Sequence, residues 1–276
     1  MRACTAQVKF HRVHARGLTP GYSLPCERMS GHSKWSTIKH KKGAADKARG
    51  KLFSKLSRAI IVAAKEGGGD PDGNAALATA IEKARAASMP KDNIERAVAR
   101  GAGSDANSEA YEAVTYEGYG SGGAAVIVEA LTDNRNRTAA DVRYIFGKFG
   151  GSLGAPGSVS WMFERRGLIT LPLAAGDEDT VTLAAADGGA DDVRAEDDLW
   201  QVTCEPTEMM AVRSALEGAG LAVAGADLVM LPQTQVEVEV EQARTLLRLV
   251  DALEENDDVQ DVYFNFDIPE AILAEL

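Results

Sequence analysis

Ala113-Val114-Thr115-Tyr116-Glu117-Gly118-Tyr119-Gly120-Ser121-Gly122-Gly123-Ala124-Ala125-Val126-Ile127-Val128-Glu129-Ala130-Leu131 is where the chain changes its period. Before this stretch apolar residues recur every three to four positions. Here they alternate or run together, with β-branched residues on both sides of a glycine-rich break, which predicts two strands joined as a hairpin. Gly118, Gly120 and Gly123 also satisfy the spacing G-x-G-x-x-G. A dinucleotide site needs a helix after those glycines to face the pyrophosphate, and Val126-Ile127-Val128 is a strand sequence. The glycines therefore predict a hairpin loop.

Upstream of the hairpin the chain reads as helices. Leu52, Leu56, Ala59, Ile60 and Ala63 fall on one face of a helix over 49–66, and Lys51, Lys55, Arg58 and Lys65 fall on the other, facing solvent. Three glycines and Pro71 end it within 67–73. Asn74 caps a second helix with Leu77, Ile81 and Ala84 inward. Pro90 opens a third that runs through Ile94 and Val98 to Gly101.

Downstream, 138–150 reads as a helix with Val142, Ile145, Phe146 and Phe149 inward. Strands are expected at 168–171, 200–204, 236–240 and 262–266, and helices at 209–216 and 243–253. The acidic stretches Asp191-Asp192 and Glu254-Glu255-Asn256-Asp257-Asp258 read as solvated turns and helix ends. The fold class is α+β: an N-terminal helical bundle followed by two α/β modules of ferredoxin-like size.

Charge is segregated along this order. The 276 residues carry a net −11, which by itself argues against a polyanionic partner. Residues 1–103, however, hold 20 Lys and Arg against 8 Asp and Glu, a balance of +12, and the remainder holds 10 against 33, a balance of −23. Within 34–65 there are ten basic residues and one acid, Asp46. A basic head on an acidic body is the footprint of nucleic-acid binding.

Other classes are excluded more simply. The longest apolar run, 59–64, is far short of the ~18 residues of a membrane span. Three cysteines without a C-x-x-C pair and four histidines offer neither a disulfide framework nor a zinc knuckle. Asp70, Asp72 and Asn74 imitate a calcium loop, but Ala75 and Ile81 stand where glycine and glutamate are required. No G-x-S-x-G, H-E-x-x-H or P-loop lysine appears, and no histidine has a carboxylate and nucleophile beside it. The expectation is a non-enzyme with no cofactor and no metal, in a reducing compartment. Residues 1–28, Arg-bearing and free of acid before Glu27, stand apart from the rest. They read as a transit peptide or, preferably, as an extension before an initiator at Met29.

Two motifs remain as candidate nucleic-acid contacts. Lys34, Trp35, Lys39, His40, Lys41 and Lys42 place cations around one indole in a segment too polar for a core, and Lys47, Arg49, Lys51, Lys55 and Arg58 continue the strip along the first helix. The second is Asp133-Asn134-Arg135-Asn136-Arg137-Thr138, between strand and helix. Asp133 or Asn136 could cap that helix. Arg135 and Arg137, however, put cations at a helix N-terminus, which the macrodipole disfavours by ~0.3 to 1 kcal/mol each. Such a broken rule marks a candidate anchor for phosphate or for an acidic surface of a neighbouring domain.

The segments 29–35, 47–56, Met89-Pro90-Lys91-Asp92-Asn93-Ile94-Glu95-Arg96-Ala97, Tyr116-Glu117-Gly118-Tyr119-Gly120 and 130–138 resemble the YebC family, and the likeness spans 29–276. Ser121 departs from it, at a place where proline is usual. The resemblance implies a helical domain over 29–106 and an α/β domain over 107–158 plus 234–276, interrupted by an inserted α/β domain over 159–233. It further implies a cytoplasmic transcriptional regulator that binds DNA or, alternatively, a ribosome-associated translation factor that meets ribosomal RNA with the same surface. Exposed side chains at Lys51 and Lys55 would make charge reversal there harmless to stability.

Overall fold

The computed structural model describes residues 46–103, 111–196, 198–268 and 272. The α+β class expected from the sequence is the class observed. Three helices come first: α1 (Asp46–Gly67), α2 (Ala75–Ala86) and α3 (Lys91–Gly101). They close around Ile60, Ile61, Ala64, Leu77, Ile81, Ala84, Ile94 and Ala97. The buried side of α1 begins only at Ile60. Leu52, expected inward, is exposed, and Phe53 and Leu56 pack at the margin of the cluster.

One side chain joins two of these helices. Asn74 Oδ1 accepts from Leu77 N at 3.1 Å and so caps α2. Its amide donates to Ala63 O at 2.8 Å and Gly68 O at 2.9 Å, satisfying carbonyls at the end of α1.

The hairpin forms as read, with β1 (Glu112–Tyr119) antiparallel to β2 (Ala125–Thr132) in the register Tyr116↔Val128 and Gly118↔Val126. Helix α4 (Arg135–Lys148) follows, then the short β3 (Ser152–Leu153). The next segment contains β4 (Phe163–Pro172), α5 (Glu178–Asp187), β5 (Asp192–Glu196), β6 (Leu199–Cys204), α6 (Met209–Gly218) and β7 (Gly225–Pro232). The chain then passes through α7 (Val240–Glu254) to β8 (Val259–Phe264). There are two antiparallel sheets among the described residues, ordered β3-β1-β2-β8 and β5-β6-β4-β7, so the last strand returns to the first sheet.

Strand β2 explains why its sequence is a continuous apolar run. Val126 and Val128 face α4 and α7 together with Val142, Phe146, Leu246 and Leu249. Ala125 and Ile127 face the opposite way, onto Val159, Phe163 and Tyr263. A strand covered on both sides loses the polar alternation of a half-exposed one. Close packing also requires two of the glycines: a Cβ at Gly118 would lie 2.7 Å from the Phe146 ring, and one at Gly120 would lie 2.4 Å from Leu246 Cδ2.

Three expectations need correction. Residues 236–240 are no strand: Val236 makes a single parallel bridge to Phe266, and Val240 already begins α7. Asp192 opens strand β5, and Asp191 accepts from Arg166 at 3.0 Å; neither is a bare solvated turn. The run 254–258 is packed against α1.

Candidate nucleic-acid interface

Helix α7 ends at Glu254, and its last carbonyls have no partner within the helix. The cations of α1 supply one. Lys51 Nζ donates to Glu255 O at 2.9 Å and Lys55 Nζ to Glu254 O at 2.7 Å, and the Arg58 guanidinium donates to Asp257 O. A helix C-terminus carries partial negative charge, so cations are favoured there. The three side chains expected on an open strip facing solvent are therefore half-buried against the end of another helix. The acceptor that Lys51 meets is a neutral carbonyl, which leaves its positive field uncancelled. Arg58 is paired outright.

Its partner is Asp258, which is only 4% exposed. Arg58 Nη1 lies 3.3 Å from Asp258 Oδ1, and the guanidinium sits over the Tyr111 ring, 5.6 Å from its centroid. The other carboxylate oxygen serves the second motif: Asp258 Oδ2 accepts from Arg137 Nη2 at 2.8 Å and from Thr138 Oγ1 at 2.7 Å. Burial alone would raise this carboxyl. The hydrogen bonds from Arg137 and Thr138 and the charges of Arg137 and Arg58 hold it below the ordinary aspartate range. One acid in the run read as a solvated turn thus draws both basic motifs to a single point.

The loop motif resolves around this acid. The helix cap is Asn134, whose Oδ1 accepts from Arg137 N at 3.1 Å; neither Asp133 nor Asn136 fills that role. Arg137 is tolerated at the N-terminus of α4 because the hydrogen bonds it donates to Asp258 and Asp133, the latter at 2.7 Å, raise its affinity for its proton. Arg135 is freer: its guanidinium is 3.8 Å from Glu112 and its side chain is 64% exposed.

Among the predicted contacts, Arg49 is exposed at the start of α1, and Arg135 is exposed at the start of α4. Arg58 and Arg137 meet at Asp258, and Lys51 and Lys55 line the same seam. Lys47 belongs to α1, but its side chain lies outside the described residues, as do Lys34, Trp35, Lys39, His40, Lys41 and Lys42. Asp258 itself was missed. Its signal was the charge run 254–258, which periodicity could not separate into exposed and buried members. No cluster of His, Cys, Asp and Glu able to hold a metal occurs among the described residues. No helix among them is long and apolar enough to cross a membrane.

Comparison with known proteins covers nearly all of this architecture. Residues 33–104 match the family model described as the TACO1/YebC protein N-terminal domain, and residues 111–266 match that of the TACO1/YebC second and third domain. A "Probable transcriptional regulatory protein" of Rubrobacter xylanophilus is 58% identical over 248 residues, which cover 90% of this chain and 99% of that relative. A protein of the same name from Geotalea uraniireducens is 56% identical over 242 residues, 88% of this chain and 97% of the relative. The crystal structure of a conserved hypothetical protein from Aquifex aeolicus superimposes with a TM-score of 0.80 at 47% identity, covering 87% of this chain and 99% of its own.

Proposed function

Because the chain belongs to the TACO1/YebC family, whose relatives carry the name of transcriptional regulators, we propose that it is a cytoplasmic, non-enzymatic regulatory protein that works by binding duplex DNA. The observation that carries this reading is the charge segregation, +12 over residues 1–103 against −23 over the rest. A polyanion is drawn to the first and repelled by the second, which fixes its orientation. In this reading Arg49, Lys47 and the cations of 34–42 contact phosphates, with Trp35 stacking beside them. Lys51 adds positive potential and retains donors beyond the one it gives to α7, and Lys55 stands beside it on the same seam. Arg135 is the second anchor, and Arg58 and Arg137 hold head and body together through Asp258. The domain division expected from the family resemblance is retained as part of the proposal, supported by the return of β8 to the first sheet.

Fluorescence anisotropy with a labelled duplex across a salt series tests it. Neutralisation of about six phosphates gives a slope near −5 for log affinity against log salt. Arg49→Glu reduces the slope's magnitude by about one to two units. A flat slope in the unaltered protein overturns the proposal. So does a preference for ribosomal RNA in competition with the duplex, which would favour a role in translation.

A further inference from the structure

Four of the ten Lys and Arg residues beyond position 103 lie in the fourteen residues of α4, with a single one of the 33 acids, Asp141. The helix is a basic element on an acidic body. Val142 and Phe146 are fully buried beneath it. Asn136, Ala140, Arg143, Tyr144 and Gly147 fall on the opposite side and are all exposed. Tyr144 stands out there at 69% exposure. Its neighbours at i−4 and i+3 on the same face are Ala140 and Gly147, and a Cβ built at Gly147 would meet nothing within 4 Å. The phenol ring therefore projects from a low shoulder and presents an open face.

An exposed aromatic alone needs no explanation. The cations around this one give it a chemistry. Arg143 adjoins it in sequence and has no ion-pair partner among the described residues. Lys148, one turn on, rests its ammonium over Phe149, 5.4 Å from the ring centroid, and its side of the helix is open. Arg135 carries positive charge to the other end of a helix about 21 Å long. We propose that the outward face of α4 is a contact for single-stranded nucleic acid, with Tyr144 stacking on an unpaired base and Arg143 and Lys148 meeting the phosphates on either side. A duplex hides the faces of its bases within its own stack, whereas a single strand offers each base to an aromatic ring. The proposal rests on the reading that the partner is nucleic acid, and adds to it a second surface with a different strand preference.

The test uses the full chain, a labelled 20-nucleotide mixed-sequence single strand and the same sequence as a duplex, both followed by anisotropy. Tyr144→Ala is expected to weaken single-strand binding about tenfold, the effect of losing one stacked base, and to change duplex binding less than twofold. Tyr144→Phe keeps the ring and retains single-strand affinity. Arg143→Glu with Lys148→Glu weakens the single strand and steepens the discrimination against it. An unchanged melting temperature for Tyr144→Ala confirms that the loss is one of contact. Arg49→Glu separates the two readings: if it leaves duplex binding intact while Tyr144→Ala still acts, the head assignment fails and the α4 surface stands. Single-strand affinity within twofold of the unaltered protein in Tyr144→Ala overturns the proposal. Equal losses on both strands overturn it as well, as does a change confined to self-association in sedimentation, which would make this face a protein interface.

Discussion

Asp258 is the residue on which head and body depend most. Its carboxylate is buried and shared between Arg58 from α1 and Arg137 from α4, with Thr138 as a third donor. Removing its charge leaves two guanidiniums facing a neutral group, and we expect Asp258→Asn to cost about 2 kcal/mol, read as a shift in the denaturation midpoint. The pH dependence follows from the same contacts. The folded carboxyl lies below its ordinary value, whereas in the unfolded chain it titrates near ~3.9. Its contribution is therefore complete above the unfolded value and is lost as pH falls through the folded one. Glu117 behaves alike. Burial would raise it, but backbone donors at Gly157, Val159 and Ser160, 2.7 to 2.9 Å away, lower it instead. Melting temperature measured downward from pH 6 should fall steeply once below about pH 4. The fall should be shallower in Asp258→Asn, which has no carboxyl to protonate there; identical acid profiles would remove Asp258 from this role.

The contact between α1 and α3 is set by Gly101. A Cβ there would stand 2.4 Å from Ile61 O and 2.6 Å from Ala64 Cβ, so Gly101→Ala must push the helices apart. We expect a loss of about 1 to 3 kcal/mol, typical of overpacking, with the secondary structure unchanged by circular dichroism. From the sequence this glycine reads only as a helix terminator, because proximity of another backbone leaves no trace in local pattern. The same limit divides the rest of the elements. Asn74, Pro90 and the hairpin at 112–132 were legible because capping, proline geometry and period are local properties. The solvent-facing strip on α1 was misjudged for a physical reason: Lys51 and Lys55 lie on the polar side of α1 as periodicity requires, but that side faces the carbonyls of α7, about 200 residues on. Periodicity distinguishes polar from apolar sides. It cannot distinguish water from a helix end, since both satisfy an ammonium. The outward position of Tyr144 was by contrast implicit in the placing of Val142, Ile145 and Phe146 inward.

Across the whole molecule, charge holds the parts together and also competes with the proposed ligand. The acidic run 254–258 lies against the basic helix. Further along the head, Glu82 receives Arg213 at 2.8 Å and Lys83 pairs with Asp227, so α2 is tied to α6 and β7. Exposed pairs of this kind contribute ~0 to 1 kcal/mol each, which makes the clasp salt-sensitive. The side chains of Glu255 and Asp257 are exposed beside the seam and Glu254 is half-buried, while their backbones hold the cations. Neutralising the exposed side chains of Glu255 and Asp257 keeps those backbone acceptors and removes negative field beside them. Glu255→Gln with Asp257→Asn should therefore preserve the docked arrangement yet raise duplex affinity. A charge roughly one Debye length away, ~8 Å at physiological salt, contributes ~0.2 kcal/mol. Two together give ~0.4 kcal/mol, or about a twofold gain. The gain should shrink toward nothing as salt rises to about 1 M, because the effect is one of field and the contacts are the same. A gain that persists at high salt would mean that the substitutions had freed Lys51 and Lys55 from α7, and their docking would then be a direct competitor for phosphate.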